Sequence, residues 1–103
     1  MTKQIFKFSL TVKRLIHDKH GQLCILCQAP ASSFHHVFFG AKRPVGFKSH
    51  KHSVSDVWNG MPLCLVGHAQ QHHYPDESCN GKSAKFNREF MEGIAQYEFN
   101  KGN

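Results

Sequence analysis

Cysteine and histidine are the residues that most constrain how this chain can fold. Four cysteines and nine histidines occur in 103 residues, and thiolates and imidazoles are ligands that zinc prefers in proteins. Cys24 and Cys27, with two residues between them, are typical of a tight turn that directs both sulfurs at one ion. Because a domain this small often needs a cross-link beyond its hydrophobic core, we expect a metal to stabilise the fold.

Size and hydropathy narrow the class of protein. A chain of 103 residues and 11.7 kDa predicts a single domain over residues 1–103. No apolar run approaches the roughly 18–20 residues that span a bilayer, so no membrane partner is expected. The N-terminus lacks the continuous apolar stretch and the small-residue cleavage site of a signal peptide, so none is expected. The cysteines are therefore expected in the reducing cytoplasm, where thiols bind metal rather than form disulfides.

Local patterns predict the elements of the first half. Ser9 and Gly21 bracket a stretch of apolar and basic residues, which predicts a helix over Leu10–His20. The aromatic run Phe34–Phe39 predicts a strand. Val54–Trp58 is predicted as a second short strand or a turn of helix, and we expect a β-hairpin in this region.

The flanking segments are read in the same way. Residues 1–8 are predicted as a short extended arm. The dipeptide Asn59-Gly60 predicts a turn, and the apolar stretch Met61–Leu65 carries Cys64. His68–His73 is expected to begin a short helix that Pro75 ends.

The C-terminal stretch Ser83–Asn100 is the clearest helix, over about residues 83–99. Its large apolar residues recur at helical spacing and predict one buried face, made of Phe86, Phe90, Met91, Ile94 and Tyr97.

A set of imidazole and amide side chains is the candidate for chemistry. His35 and His36 lie on the predicted strand, and Asn59 lies in the predicted turn. His68 and His72 are four residues apart, which places them on one face of a helix. Each feature alone is common, but this order, framed by Cys24, Cys27 and Cys64, is specific.

The segment from about Cys24 to His72 resembles the HNH endonucleases of the ββα-metal (His-Me finger) superfamily. The spacing of Asn59, His68 and His72 is similar to that of colicin-type DNases, and the cysteines resemble those of small phage and prophage members. The resemblance implies an α+β fold, a zinc-stapled ββα-metal domain with a core motif over about residues 24–73 and flanking N- and C-terminal helices.

The resemblance also implies roles for individual residues. His36 would be the general base, and His35, His68 and His72 would hold a divalent ion. Asn59 would brace the loop between the two strands. The implied activity is a metal-dependent hydrolysis of phosphodiester bonds in DNA.

The residue types suit that activity. A neutral imidazole accepts a proton from water near pH 7, and a divalent ion stabilises the charge on a phosphate and its leaving oxygen. Imidazole ligands favour Mn²⁺, Ni²⁺ or Zn²⁺ over Mg²⁺, which remains a weaker candidate. One question stays open, because neighbouring strand residues point to opposite faces. His35 and His36 can serve one site only if the strand bulges, twists or ends there.

The cysteines are expected to hold a second, structural zinc. Cys24, Cys27 and Cys64 resemble three of its thiolates, and the usual fourth ligand of the family would fall at position 67, which is Gly67 here. Cys79 is the natural substitute. His73 and His20 are the alternatives.

The charge of the chain favours a nucleic-acid partner. Thirteen Lys and Arg against seven Asp and Glu give a net charge of +6. Four cations lie in the loop that follows the first histidines, and we expect them to contact DNA phosphates: Lys42, Arg43, Lys48 and Lys51.

Other assignments remain open from the sequence. The chain could be a non-catalytic zinc-stapled DNA-binding module, a phage accessory protein on the same scaffold, or a small structural zinc protein with a basic surface. A homodimer, or a phage or recombination protein as partner, is compatible with the short motif.

Overall fold

The computed structural model describes residues 7–102, which form a small mixed α/β structure with three helices and a two-stranded sheet. Most of the arm predicted over residues 1–8 lies outside the described residues. The elements are, in chain order, α1 (Leu10–His20), β1 (Ser33–His36), a 3₁₀ turn (Val57–Asn59), β2 (Gly60–Leu63), α2 (Leu65–His72) and α3 (Ala84–Lys101). Within residues 7–102, none of the helices has the length and hydropathy needed to cross a membrane.

Helix α1 has the predicted bounds because both of its ends are capped. The hydroxyl of Ser9 accepts a hydrogen bond from the backbone N–H of Val12 at 3.1 Å. Gly21 takes a positive φ of 81° and donates its N–H to the carbonyl of His17. The fully buried Ile16 anchors the helix against the sheet.

The sheet pairs β1 with β2 in antiparallel register, from Ser33 opposite Leu63 to His36 opposite Gly60. The predicted strand over Phe34–Phe39 is therefore too long at its C-terminal end. Beyond His36, hydrogen bonds to Asn59 replace the strand ladder. The backbone carbonyl of Asn59 accepts the N–H of Val37, and its side-chain oxygen accepts the N–H of Phe38.

Helix α2 begins earlier than the sequence predicts, at Leu65 rather than His68. Its N-cap is Cys64, whose sulfur accepts the backbone N–H of Gly67 at 3.3 Å. Sulfur is an uncommon N-cap atom, which is why the pattern of preferred capping residues does not reveal this helix start.

Helix α3 follows the predicted span and is capped by Ser83, whose hydroxyl accepts the N–H of Phe86. The predicted buried face is wrong in part. Met91 is buried and Ile94 is partly buried against the core, whereas three aromatic rings lie at the surface: Phe86, Phe90 and Tyr97. The buried stripe instead follows a spacing of four residues, through Asn87, Met91, Ala95 and Phe99.

The long loop over residues 40–53 packs onto α3. The side-chain amide of Gln96 makes two hydrogen bonds with the backbone of Val45, at 2.8 and 3.1 Å. Phe47 lies beside the buried ring of Trp58, which in turn packs edge-on against Phe99 with 4.9 Å between ring centroids. These contacts hold the loop in one place relative to the sheet.

A close approach of α1 to the first residue of β2 leads to a prediction about Gly60. A Cβ atom at this position would meet the buried side chain of Ile16, with Cγ1 at 2.9 Å, and the ring of Phe8 at 3.2 Å. Gly60→Ala should therefore lower the free energy of unfolding by about 1–3 kcal/mol, as overpacking does. Urea denaturation measures the change.

Gly93→Ala is the matched control. Gly93 lies within α3 with nothing within 4 Å of an added Cβ, so alanine there should stabilise the protein by about 0.5–1 kcal/mol. Equal stability of the two variants would contradict the close packing of α1 on β2.

Candidate metal centres

Four thiols form the first cluster, which we call the thiol cluster: Cys24, Cys27, Cys64 and Cys79. Their sulfurs all lie within 4.8 Å of one another, and those of Cys27 and Cys64 are 3.7 Å apart. This separation is too long for a disulfide. A tetrahedral zinc with Zn–S distances of about 2.3 Å places its sulfurs about 3.8 Å apart. The thiol cluster could therefore hold an ion such as zinc.

The first two cysteines lie in a tight turn that the backbone stabilises. The N–H of Leu26 points to the sulfur of Cys24 at 3.4 Å, and Gln28 takes a positive φ of 68° as the chain turns back. The N–H of Ile25 donates to the carbonyl of Pro62, which fastens the turn to β2. Backbone donors aimed at sulfur stabilise a thiolate, the form that binds metal.

The ionisation of the thiols differs across the cluster. Burial opposes the thiolate of Cys24, but hydrogen bonds from the backbone of Cys64, Leu26 and Cys27 outweigh it and lower the pKa of this thiol. Burial raises the pKa of Cys27 and of Cys79, and for Cys79 the neighbouring thiols add to the rise. A cation is the group that would allow all four to be thiolates together.

Cys79 is the fourth member, and neither His20 nor His73 belongs to the cluster. The absence of a side chain at Gly67 leaves space for the sulfur of Cys79. A Cβ atom built on Gly67 would lie 3.3 Å from the sulfur of Cys79 and 3.6 Å from that of Cys64. A side chain at position 67 would therefore point to the place that the sulfur of Cys79 occupies.

Buried amides hold the loop that carries Cys79. The side chain of Asn87 donates to Gln70 at 2.7 Å and bonds with Asn80, while Gln70 donates to the carbonyl of Lys82 at 3.0 Å. Gln70 and Asn87 are almost wholly buried. This network joins α2, α3 and the loop over residues 78–82, so it sets the position of Cys79.

Three imidazoles form the second cluster, which we call the histidine cluster: His35, His68 and His72. One ring nitrogen from each lies within 4.8 Å of the others. The ring centroids are 4.8–5.2 Å apart and each pair of rings is tilted by 69–76°. Three rings turned edge to face around one point are suited to hold a common ion and leave a further coordination position open.

Ser33 sets the orientation of one of these rings. Its hydroxyl donates to the carbonyl of Leu63 at 3.3 Å and lies 2.7 Å from Nδ1 of His68. In the tautomer whose Nδ1 carries the proton, the hydroxyl accepts this N–H, and the lone pair on Nε2 of His68 is available to a metal.

Desolvation favours the neutral form of all three histidines, most strongly that of His35. His35 is 1 % exposed, and burial, followed by the nearby His68 and His72, lowers its pKa to about 3. The pKa values of His68 and His72 are lowered too, chiefly by burial. The buried Nδ1 of His35 has no hydrogen-bond partner among the described residues. A buried ring nitrogen without a partner is a candidate to bind a ligand.

His36 occupies a different environment from its neighbour. Its ring stacks on Phe8, with 3.8 Å between centroids and 8° between planes, and Nε2 lies 3.5 Å from the hydroxyl of Ser55. Burial, followed by His68 and His72, lowers the pKa of His36 to about 4. The ring is therefore neutral at pH 7 and can accept a proton.

Asn59 braces the chain just after His36. Its side-chain oxygen accepts the N–H of Phe38 at 2.7 Å, and its amide donates to the carbonyls of Phe38 and Val54 at 2.9 and 2.8 Å. The side chain is fully buried. These bonds end β1 at His36.

An apolar cavity of about 440 Å³, which we call the aromatic cavity, brings His36 beside the histidine cluster. Both His68 and His72 line it together with His36. His36 is the last residue of β1, and His35 meets His68 and His72 without being one of the residues that line the cavity. The other walls are Phe34, Phe38, Phe39, Gly40, Arg43 and Val54.

The structure separates the four cations predicted to contact DNA. Arg43 lines the aromatic cavity. Lys42 pairs with Glu92 of α3 at 2.8 Å. Lys48 and Lys51 are exposed on the loop that packs on α3, and neither is among the residues that line the cavity.

Two cations that the sequence reasoning missed lie near His36. A second groove shares the walls Phe34 and His36 with the aromatic cavity and carries Lys7 and Lys13. Lys13 lies over the ring of Phe34, with Nζ 5.7 Å from the centroid. Nothing in the local sequence marks these lysines, because α1 and β1 bring them to the site only in the folded chain.

Comparisons of the chain with protein-family models, with curated proteins and with solved structures find no match.

The contact between Gly67 and Cys79 predicts that the fourth thiolate can change its position in the sequence. Cys79→Ser should weaken zinc binding by roughly 100-fold, since four ligands share about 10–16 kcal/mol of binding free energy. Adding Gly67→Cys to this variant should restore four-thiolate binding. Cobalt substitution, read from the sulfur-to-cobalt absorption band, counts the thiolates.

Gly93→Cys in the Cys79→Ser background is the control, because position 93 faces open space on α3. It should leave the binding defect in place. Rescue by both added cysteines, or by neither, would contradict the geometry described for position 67.

Proposed function

We propose that this protein is a metal-dependent endonuclease of the HNH type that hydrolyses phosphodiester bonds in DNA. One observation carries the proposal. Three imidazoles, those of His35, His68 and His72, converge on one point, and a fourth imidazole, His36, lines a cavity together with His68 and His72. A set of metal ligands beside an uncoordinated base is what hydrolysis of a phosphodiester requires.

The order of the elements supports the same family. Two antiparallel strands, β1 and β2, are followed directly by α2. They bring together His35 from the first strand and His68 and His72 from the helix. This arrangement agrees with a zinc-stapled ββα-metal domain, flanked by α1 and α3.

The residues divide the work of hydrolysis between them. A divalent ion held by His35, His68 and His72 would supply Lewis-acid stabilisation to the scissile phosphate and its leaving oxygen. His36 takes a proton from the attacking water, because its imidazole is neutral at pH 7. Phe8 fixes the plane of the His36 ring by stacking, and Asn59 fixes the backbone that follows it.

The thiol cluster serves the fold in this proposal. It closes around an ion with four ligands of one kind, as structural zinc sites do. The histidine cluster offers three ligands and borders the aromatic cavity, as sites that bind substrate do. The imidazole ligands favour Mn²⁺, Ni²⁺ or Zn²⁺, with Mg²⁺ less suited to the site.

Cleavage of supercoiled plasmid tests the role of His36. His36→Ala should reduce metal-dependent nicking by about 10²–10⁴-fold, the usual contribution of a general base. Metal binding should persist, because the variant retains all three ligands of the histidine cluster. The assay is run with Mn²⁺, Ni²⁺, Zn²⁺ and Mg²⁺ and with EDTA.

His50→Ala is the matched control, since His50 is exposed on the loop over residues 40–53 and does not line the aromatic cavity. It should nick at the wild-type rate. Wild-type nicking by His36→Ala would exclude this residue as the base. No cleavage by the wild-type protein with any of these metals, with DNA still bound, would favour a non-catalytic DNA-binding module.

A further inference from the structure

The walls of the aromatic cavity are not explained by phosphodiester hydrolysis alone. Binding a phosphate calls for cations and hydrogen-bond donors, yet most of this surface is apolar. Phe34, Phe38, Phe39 and Val54 form it, and Arg43 is the cation at its edge. A cavity with apolar walls and a few polar groups at one side is built to enclose a flat or apolar group of a ligand.

We propose that the aromatic cavity receives one unpaired base of a DNA strand, and that phosphates of the same strand lie along Lys7 and Lys13. The inference rests on the proposed nuclease function, and it names the substrate class as DNA with an unpaired nucleotide beside the cleaved phosphate. The base and the phosphates would meet at Phe34 and His36, which line both the cavity and the basic groove.

Phe39 is the residue placed to stack on that base. Its side chain is 44 % exposed, although it lines the cavity and packs against His72 with 5.2 Å between ring centroids. An exposed aromatic ring at the rim of a cavity offers one face to a ligand. Bases of every kind have an aromatic face, so stacking binds them without regard to sequence.

The charges next to the cavity fit a single strand. Lys7 and Lys13 line the neighbouring groove, which shares Phe34 and His36 with the cavity, and Arg43 lines the cavity itself. Cations separated by an aromatic surface follow the alternation of phosphate and base along one strand. The positive charges of these side chains complement the phosphates of a nucleic-acid strand, which favours such a strand as the ligand.

An unpaired base is required because a duplex hides the faces of its bases. In a duplex each base is stacked on its neighbours and reaches an enclosed pocket only when it is turned out of the helix. Duplex DNA also carries the higher density of phosphates, so electrostatic attraction alone favours the duplex over a single strand. If the protein binds a single strand more tightly than a duplex, the difference therefore indicates contacts with the bases.

Fluorescence anisotropy at one salt concentration tests the proposal without cleavage, since no divalent ion is added and the structural zinc is kept. The probes are a labelled thymidine oligonucleotide, an abasic strand of the same length, and a duplex of the same length. The wild-type protein should bind the thymidine strand about tenfold more tightly than the abasic strand. It should also bind the thymidine strand more tightly than the duplex.

Substitutions at Phe39 separate stacking from packing. Phe39→Leu should weaken binding of the thymidine strand about tenfold and leave binding of the abasic strand unchanged. Phe39→Tyr should bind like the wild type, because the aromatic face remains. Phe90→Leu is the matched control, a ring 47 % exposed on α3 that does not line the cavity, and it should have no effect.

Lys13→Ala should weaken the thymidine and abasic strands by the same factor, because it removes a phosphate contact. Equal binding of thymidine and abasic strands, or wild-type binding by Phe39→Leu, would overturn the proposal even where the protein nicks plasmid. Conversely, a preference for the thymidine strand in a protein that cleaves nothing would support the base site and count only against the nuclease.

Discussion

The structure depends most on Cys64, because one side chain takes part in both the thiol cluster and the start of α2. Cys64 directly follows β2, and its sulfur caps the helix by accepting the N–H of Gly67. The helix has eight residues, fewer than the roughly 12–15 that an isolated helix needs to be stable in water. An ion held by Cys64 would therefore stabilise the helix that carries His68 and His72.

The two clusters differ in the ligands they offer and in their access to a cavity. The thiol cluster has four ligands of one kind, with Cys24 fully buried, which leaves no position for substrate. The histidine cluster offers three ligands, and two of them, His68 and His72, line a cavity, so an ion held there would keep one position available. Both lie at the ends of the same short helix, since Cys64 precedes it and His72 closes it. Metal binding at the thiol cluster would therefore couple the stability of the fold to the position of His68 and His72.

The sequence predicts features that depend on a few residues close together in the chain, such as pairs of candidate metal ligands at short spacing. The pair Cys24 and Cys27, the helix over Leu10–His20, and the shared face of His68 and His72 are of this kind, and the structure confirms their placement. Residue type favours Cys79 as the fourth ligand, but spacing leaves His20 and His73 as alternatives, since buried amides position the loop that carries Cys79.

Features set by tertiary contacts were missed or wrong. Phe86, Phe90 and Tyr97 follow helical spacing, but α3 buries the smaller stripe through Ala95, and lysines cover two of the rings instead. Lys7 and Lys13 line one groove with His36, and only the folded chain brings them there.

The number of bound metal ions tests the central claim, that this chain builds two metal centres of different chemistry. Native mass spectrometry after loading with Zn²⁺ counts the ions in the intact protein. Two ions in the wild type, and one in His68→Ala and in His72→Ala, is the predicted result. The same single ion in the wild type and in both variants would contradict the account, because it would leave the histidine cluster without a metal.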